Sequence, residues 1–132
     1  MAFLLDTNIV SDLVRHPTGR VADHVARIGA QNICTSIIVA AELRYGALKR
    51  AWTRLSAQLE AVLGSIEILA LERPVDVVYG ELRARLERAG QPIGANDLLI
   101  AAQTLALGHT LVTDNEREFS RIDGLTIENW LR

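Results

Sequence analysis

Short continuous apolar runs alternate along this chain with longer amphipathic stretches. The first run, Phe3–Leu5, leads directly into the polar residues Asp6, Thr7 and Asn8. A continuous apolar run is typical of a strand that is covered on both faces. Because an unpaired buried carboxylate is too costly, Asp6 is predicted to lie where this central strand ends, outside the core. In open α/β sheets this carboxyl edge is where ligands bind.

The remaining pattern predicts four more strands, at 32–36, 66–71, 110–113 and 125–128. Between them, apolar residues recur at helical spacing. The predicted helices contain residues 9–14, 21–28 (ended by Gly29), 37–49 (capped by Ser36), Trp52–Leu63 (ended by Gly64), 75–90, 98–107 (ended by Gly108) and 116–120. Alternating strands and helices predict a parallel sheet with helices on both faces. We therefore expect one domain over residues 1–132, a three-layer α/β/α sandwich with a mainly parallel central sheet.

The composition is that of an ordinary soluble globular protein, with 49% hydrophobic and 23% charged residues and a net charge of −2. This net charge gives no indication of nucleic-acid binding. A single cysteine, Cys34, excludes a disulfide framework and a cysteine-based zinc site, and it is predicted to be a small buried residue. We see no signal-peptide pattern and no apolar run near the roughly 18 residues of a membrane span, so we expect a cytoplasmic protein.

Four acids stand at positions that could converge on one edge of the sheet. Asp6 follows the first strand, Glu42 lies in the helix after the second, Asp97 opens a helix and Asp114 follows the fourth strand. Helices that follow strands begin at the carboxyl edge, and a right-handed crossover would bring the start of the Asp97 helix there too. Taken singly, each acid also fits an ordinary turn, a solvated helix face or a first helical turn. Their convergence is what predicts a site.

Carboxylates that are crowded together raise one another's pKa values unless a cation neutralises them. Hard oxygen ligands, a lone cysteine and three unclustered histidines favour Mg²⁺ or Mn²⁺ over zinc. Such an ion would activate water and stabilise charge on a phosphodiester during in-line attack. The residues predicted to orient the ligands from behind are Thr7, Asn8, Thr113 and Asn115.

Four segments carry these acids in the order Leu4–Ile9, Ala40–Gly46, Asn96–Ala102 and Leu111–Asn115. Together they resemble the PIN-domain ribonucleases, and more narrowly the VapC toxins of bacterial toxin–antitoxin pairs. The resemblance covers the whole chain in the correct order. Any one segment is a weak signal, whereas all four at these spacings are specific.

The resemblance implies an endoribonuclease that depends on Mg²⁺ or Mn²⁺. It places Asp6, Glu42, Asp97 and Asp114 on the family's acidic positions, with Glu118 as the alternative fourth acid. It also implies a homodimer and a VapB-type antitoxin whose C-terminal tail inhibits the active site. The segments 114–119 and 128–132 are similar to those of the subgroup that cuts initiator tRNA in its anticodon loop.

An RNA substrate requires a positively charged approach somewhere on the surface. Thirteen of the fourteen basic residues are Arg, a side chain that binds phosphate in a bidentate manner. Our hypothesis is that Arg15, Arg44 and Arg83 lie around the cleft, although each is also an ordinary candidate for a solvated helix face.

Two other functions fit the same fold class. Phosphatases and phosphotransfer domains also place an Asp after the first strand. Such phosphatases need a second acid where this chain has Asn8, and both classes need a lysine near the phosphoryl group. The only lysine, Lys49, lies at the far end of its predicted helix. A non-catalytic RNA- or protein-binding domain is the other alternative, and the retention of all four acids argues against it.

Overall fold

A five-stranded, fully parallel sheet organises the protein in the computed structural model, which describes residues 2–51 and 53–132. The strands are β1 (Phe3–Leu5), β2 (Ile33–Ser36), β3 (Glu67–Leu69), β4 (Thr110–Val112) and β5 (Ile127–Glu128), in the spatial order β3-β2-β1-β4-β5. Every neighbouring pair is parallel. The predicted parallel sheet is confirmed, and β1 is its central strand.

The helices are α1 (Thr7–Arg15), α2 (Arg20–Ile28), α3 (Ile37–Lys49), α4 (Thr53–Ser65), α5 (Val75–Arg88), α6 (Ala95–Leu107) and α7 (Glu116–Phe119). A short 3₁₀ turn, Ala30–Asn32, precedes β2. Helix α1 packs against α2, α3 and α4, and α5 packs against α6. Right-handed crossovers put the helices that join β1, β2 and β3 on one face and those that join β3 to β4 on the other. The three-layer α/β/α prediction is confirmed.

The core lies on both faces of β1 and its neighbours. Leu4 and Leu5 of β1 and Leu111 of β4 have no exposed surface. Cys34 of β2 is buried as predicted, and burial raises the pKa of its thiol to about 11. Within the described residues, no helix is long and apolar enough to cross a bilayer.

Several element boundaries differ from the sequence prediction. Strand β3 covers only Glu67–Leu69 because it is an edge strand whose single partner, β2, offers just three paired residues. Gly64 does not end α4, which runs one residue further to Ser65, where the side chain of Ser65 donates to the carbonyl of Val62 at 2.8 Å. Strands β4 and β5 are also shorter than predicted, and Trp52 lies outside the described residues.

Helix α6 begins at Ala95, three residues earlier than the predicted Leu98. Gly94 precedes it in an extended conformation, and the backbone N–H of Leu98 donates to the carbonyl of Gly94. Asp97 therefore lies in the first turn of the helix, where its charge interacts favourably with the helix dipole.

The C-terminal segment is fixed by one aromatic residue. Trp130 is 1% exposed, packs against the ring of Phe3 at 5.5 Å and stacks on His24 at 4.8 Å. Its indole N–H donates to Glu128 at 2.9 Å. We expect Trp130→Ala to reduce the free energy of unfolding by about 3–5 kcal/mol because it leaves a large cavity between β1 and α2.

Chemical denaturation of Trp130→Ala measures this loss. Leu131→Ala is the control because Leu131 is the neighbouring residue and is only half-buried. The expectation is wrong if the two variants lose the same stability.

Candidate active site

The candidate site lies at the carboxyl ends of β1 and β4, where the order of the strands reverses. Crossovers from β1 lead outward to β2, and the chain then returns to β4 on the other side of β1. A crevice opens at such a switch point because neighbouring connections leave it in opposite directions. Asp6 stands at the end of β1, and its backbone N–H donates to the carbonyl of Val112 in β4 at 2.9 Å.

Asp6 is only 4% exposed, so it is more buried than the sequence argument predicted. The burial is tolerated because the carboxylate is hydrogen-bonded on both oxygens. Its Oδ1 accepts from the backbone N–H of Thr7 and its Oδ2 from the hydroxyl of Thr113, each at 2.8 Å. Burial raises the pKa of Asp6 most, these two hydrogen bonds lower it, and the charge of Glu42 raises it further.

Glu42 reaches the site from the second turn of α3. Ser36 caps this helix by accepting from the backbone N–H of Ile38 at 3.1 Å, which starts α3 at the carboxyl edge of β2. The hydroxyl of Thr7 donates to Oε1 of Glu42 at 2.8 Å. Thr7 thus contacts both Asp6, through its backbone, and Glu42, through its side chain.

Asp97 has a strongly raised pKa. Its pKa is raised to about 6, first by burial and then by the charges of Asp6, Glu118 and Glu42. A hydrogen bond with Glu118 adds to the rise because it requires a proton on one of the two carboxyl groups. The favourable dipole of α6 does not outweigh this crowding.

Glu118 joins the site from α7. The side-chain amide of Asn115 donates to Oε2 of Glu118 at 3.0 Å, and the backbone N–H of Asn115 donates to the hydroxyl of Thr113 at 2.9 Å. A continuous chain of hydrogen bonds therefore runs from Glu118 through Asn115 and Thr113 to Asp6.

Asp114 is placed differently from the other predicted acids. It is exposed, and its Oδ1 accepts from the side-chain amide of Asn129 at 3.0 Å. The same amide donates to Glu116 at 3.0 Å. Asp114 is not among the groups that raise the pKa of Asp97, whereas Glu118 is. The geometry thus brings Glu118 to the other three acids and turns Asp114 toward the C-terminal segment.

Sequence reasoning ranked Asp114 first because an acid directly after a strand is the more obvious signal. The sequence signal for Glu118 is the helical spacing of Asn115, Glu118 and Phe119. In the short helix α7, Phe119 is buried and Glu118 is directed toward the strand ends. Among the residues predicted to orient the ligands, Thr7, Thr113 and Asn115 bond the acids directly. Asn8 is exposed on the first turn of α1.

Two of the three arginines predicted near the cleft are paired with glutamates on α4 and α5. Arg44 makes two hydrogen bonds with Glu60, at 3.0 and 2.9 Å, and Arg83 pairs with Glu87 at 3.0 Å. Arg15 lies in the last turn of α1, about 13 Å along the helix from Asp6. None of the three appears among the causes that shift the pKa values of Asp6 and Asp97. Their contact with RNA stays a prediction.

Every charged group that shifts the pKa of Asp6 or Asp97 is another carboxylate. As the side chains stand, no three His, Cys, Asp or Glu residues of the described chain are arranged as a complete metal-binding cluster. The oxygens are instead held by Thr7, Thr113 and Asn115. Each carboxylate oxygen has two lone pairs, so one protein hydrogen bond leaves capacity for a further ligand. The donor set is therefore one of hard oxygens with unbalanced negative charge.

Comparison with known proteins agrees with this arrangement. Residues 3–125 match the model of the PIN domain family. The chain is 40% identical to Ribonuclease VapC2 of Rickettsia felis over 98% of both chains. It is 34% identical to the tRNA(fMet)-specific endonuclease VapC of Salmonella typhimurium, again over 98% of both.

Solved structures resemble the whole chain as well. VapBC2 from Rickettsia felis, bound to a DNA fragment from its promoter, contains a chain with a TM-score of 0.91 and 38% identity, over 98% of this chain and 99% of that one. DNA-bound VapBC from Salmonella typhimurium gives a TM-score of 0.91 at 34% identity. On the fold, the acidic edge and these full-length likenesses, the chain belongs to the PIN-domain family and, within it, to the VapC ribonucleases.

Proposed function

We propose that this chain is the toxin of a toxin–antitoxin pair, an endoribonuclease of the cytoplasm that uses Mg²⁺ or Mn²⁺. The observation that carries the proposal is the meeting of Asp6, Glu42, Asp97 and Glu118 at the switch point of the sheet. The groups that shift the pKa of Asp6 and Asp97 include no positively charged residue, so the negative charges of these acids are not balanced there. Crowded, perturbed carboxylates in a crevice are typical of a functional site.

The donor set fits a hard divalent cation. Oxygen ligands suit Mg²⁺ and Mn²⁺, and Mg²⁺ keeps several waters while it contacts one or two carboxylates directly. Asp6 and Asp97 are the two acids we assign to direct contact because burial is the first cause that raises the pKa of each, with Glu42 and Glu118 acting through water. When bound, the ion supplies an activated water and stabilises the charge on a phosphodiester.

The protein's own contribution is to hold the acids in place. Thr113 and the backbone of Thr7 fix both oxygens of Asp6, and the hydroxyl of Thr7 fixes Glu42. Asn115 fixes Glu118. Groups held in this way need no reorganisation when the reacting phosphate arrives, and such preorganisation is a large part of electrostatic catalysis.

The substrate we propose is tRNA, with the anticodon loop of initiator tRNA as the specific site. The named activity of the Salmonella relative, at 34% identity over the full chain, supports this choice. A single-stranded loop would present its phosphodiester to a shallow acidic edge without unwinding of a duplex.

A VapB-type antitoxin is the proposed protein partner. The solved relatives are VapBC toxin–antitoxin complexes. An apolar groove of about 440 Å³ lies between α1, α2 and α4, with Leu13, Val25 and Val62 among its lining residues. An amphipathic antitoxin segment would bury this groove, and a basic residue in its tail would balance the acids.

A homodimer is also proposed. Tyr45 and Leu48 on α3 are 65% and 82% exposed, and Ile37 on the same helix is 42% exposed. An exposed apolar face of this kind supports a further protein contact.

Cleavage of small RNA tests the nuclease directly. We expect antitoxin-free protein with Mn²⁺ or Mg²⁺ to release discrete fragments, and Asp6→Asn to reduce the rate about a hundredfold or more because it removes a buried, prepositioned charge. Chelation should abolish cleavage and added metal should restore it. Asp123→Asn is the matched control because this acid is exposed and is not among the groups that shift the pKa of Asp6 or Asp97.

Fragment sequencing then identifies the substrate. Cleavage that survives both chelation and Asp6→Asn would contradict the metal-dependent mechanism, and absence of cleavage by metal-loaded wild type would favour a binding domain.

The identity of the fourth acid is tested by a matched pair of variants. We expect Glu118→Gln to lower kcat/KM about tenfold or more, since it removes a carboxylate that contacts Asp97. Asp114→Asn should change kcat/KM by less than about threefold because Asp114 is exposed and bonded to Asn129. If Asp114→Asn lowers kcat/KM more than Glu118→Gln does, Asp114 is the fourth acid of the site, as the sequence first suggested.

The raised pKa of Asp97 predicts how the stability of the metal-free protein depends on pH. The unfolded chain loses this proton near pH 3.8 and the folded chain near pH 6. Between these values the folded state holds more protons than the unfolded state, so stability falls as pH rises through this window and stays lower above it. Asp97→Asn removes this loss of stability because the Asn side chain carries no charge.

We therefore expect metal-free Asp97→Asn to be more stable than the wild type at pH 7.5 and to show little gain in stability at pH 4.5. Chemical denaturation in the presence of a chelator measures the free energy of unfolding at each pH. Asp123→Asn should show no such difference between the two pH values. An equal gain for Asp97→Asn at both would exclude Asp97 as the cause.

A further inference from the structure

Two of the four acids are carried by segments that are far apart in the chain. Asp97 lies in the first turn of α6, behind the loop 90–94, and Glu118 lies in the single turn of α7. Their carboxyl groups are nevertheless close enough to share a hydrogen bond. A divalent cation that uses both carboxylates needs them at a fixed spacing, so the relative position of the two segments matters.

The loop 90–94 is held more firmly at its start than at its end. Gly90 has a φ of +69°, and Gly94 immediately precedes α6. The backbone N–H groups of Gly90 and Gln91 donate to carbonyls at the end of α5, and Ile93 packs against the core, whereas a Cβ on Gly94 would meet no heavy atom within 4 Å. Because the packing of α6 already places Asp97, what remains to be set is its spacing from Glu118 on α7.

Arg121 provides a direct link between the two segments. Its backbone N–H donates to the carbonyl of Glu118 at 3.1 Å, which fixes it at the end of α7. Its side chain extends in the other direction, and Nη1 donates to the carbonyl of Pro92 in the loop at 3.1 Å. Arg121 is half-buried, and its hydrogen bond to Pro92 lies at the surface.

We propose that Arg121 is a positioning residue that holds the loop 90–94 against α7 and thereby sets the spacing of Asp97 and Glu118 for a divalent cation. This inference rests on the proposed metal-dependent function. Arg121 acts through the loop and not through its charge, because it is absent from the groups that shift the pKa of Asp97. Residues that orient ligands from behind strongly affect metal affinity.

Arg117 offers a matched control. It lies four residues earlier on the same segment and is exposed. Arg117→Met and Arg121→Met each remove one positive charge from the neighbourhood of Glu118 and keep an apolar stem. Only the second removes the link to Pro92.

The experiment is titration of metal-free, antitoxin-free protein with Mn²⁺ alone, by electron paramagnetic resonance of the free ion. We expect Arg121→Met to weaken Mn²⁺ binding about tenfold, with Arg117→Met within about twofold of the wild type. The sign is informative, because loss of a nearby positive charge by itself would strengthen binding of a cation. Arg121→Lys, which keeps one donor, should recover most of the affinity.

Cleavage provides the second readout. Arg121→Met should cleave slowly at low Mn²⁺ and approach the wild-type kcat at saturating Mn²⁺, with an unchanged KM for RNA. If Arg121→Met does not fold by circular dichroism, Arg121→Gln replaces it, since its amide is too short to span the same gap, and Arg117→Gln becomes the control.

Equal Mn²⁺ affinity in the Arg121 and Arg117 variants would overturn the role of Arg121. Wild-type protein that neither binds Mn²⁺ nor cleaves RNA would instead overturn the proposed function. The two failures are thus distinguishable.

Discussion

Burial of the Asp6 carboxylate at the end of the central strand is the constraint on which the rest of the structure depends. A buried charge is tolerated only when its oxygens are hydrogen-bonded. Both hydrogen bonds come from residues at the ends of neighbouring strands, because Thr7 follows β1 and Thr113 follows β4. The pairing of β1 with β4 at the switch point is therefore a condition for placing this acid, and a different strand order would leave it without Thr113.

The same arrangement makes the free site costly. Asp97, Glu42 and Glu118 approach Asp6 on separate helices, and no positive group offsets their effect on the pKa values of Asp6 and Asp97. The hydrogen bonds from Thr7 and Asn115 hold Glu42 and Glu118 close to the other acids. Strain of this kind persists at functional sites because the surrounding structure over-determines it. A bound cation would relieve the same repulsion, as would the basic antitoxin residue that we propose.

Much of the fold was predictable because its signals are local. The apolar run Phe3–Leu5 followed by Asp6 indicated a central buried strand, and Gly29 and Gly108 ended helices where predicted. The start of α6 was missed because Gly94 and Ala95 give no strong capping signal. Strand β3 was predicted too long because the pairing of an edge strand is set by its partner, which the local sequence does not reveal.

The meeting of three of the acids could be predicted from the sequence, but the fourth acid could not. Asp6, Glu42 and Asp97 follow from strand ends and helix starts, whereas the choice between Asp114 and Glu118 depends on which way α7 turns. That direction is decided by the burial of Phe119 and by the bond from Asn115 to Glu118. The pairing of Arg44 with Glu60 on α4 could not be predicted because the local sequence does not reveal it, whereas Arg83 and Glu87 are a local pair four residues apart on one helix.

The central claim is that the acidic edge is a divalent cation site, and crystals soaked in Mn²⁺ would test it most directly. The account predicts an anomalous difference peak within coordination distance of Asp6 or Asp97, with Glu42 or Glu118 reached through water. Ordered acids with no peak among them, in crystals that bind Mn²⁺ elsewhere, would contradict it.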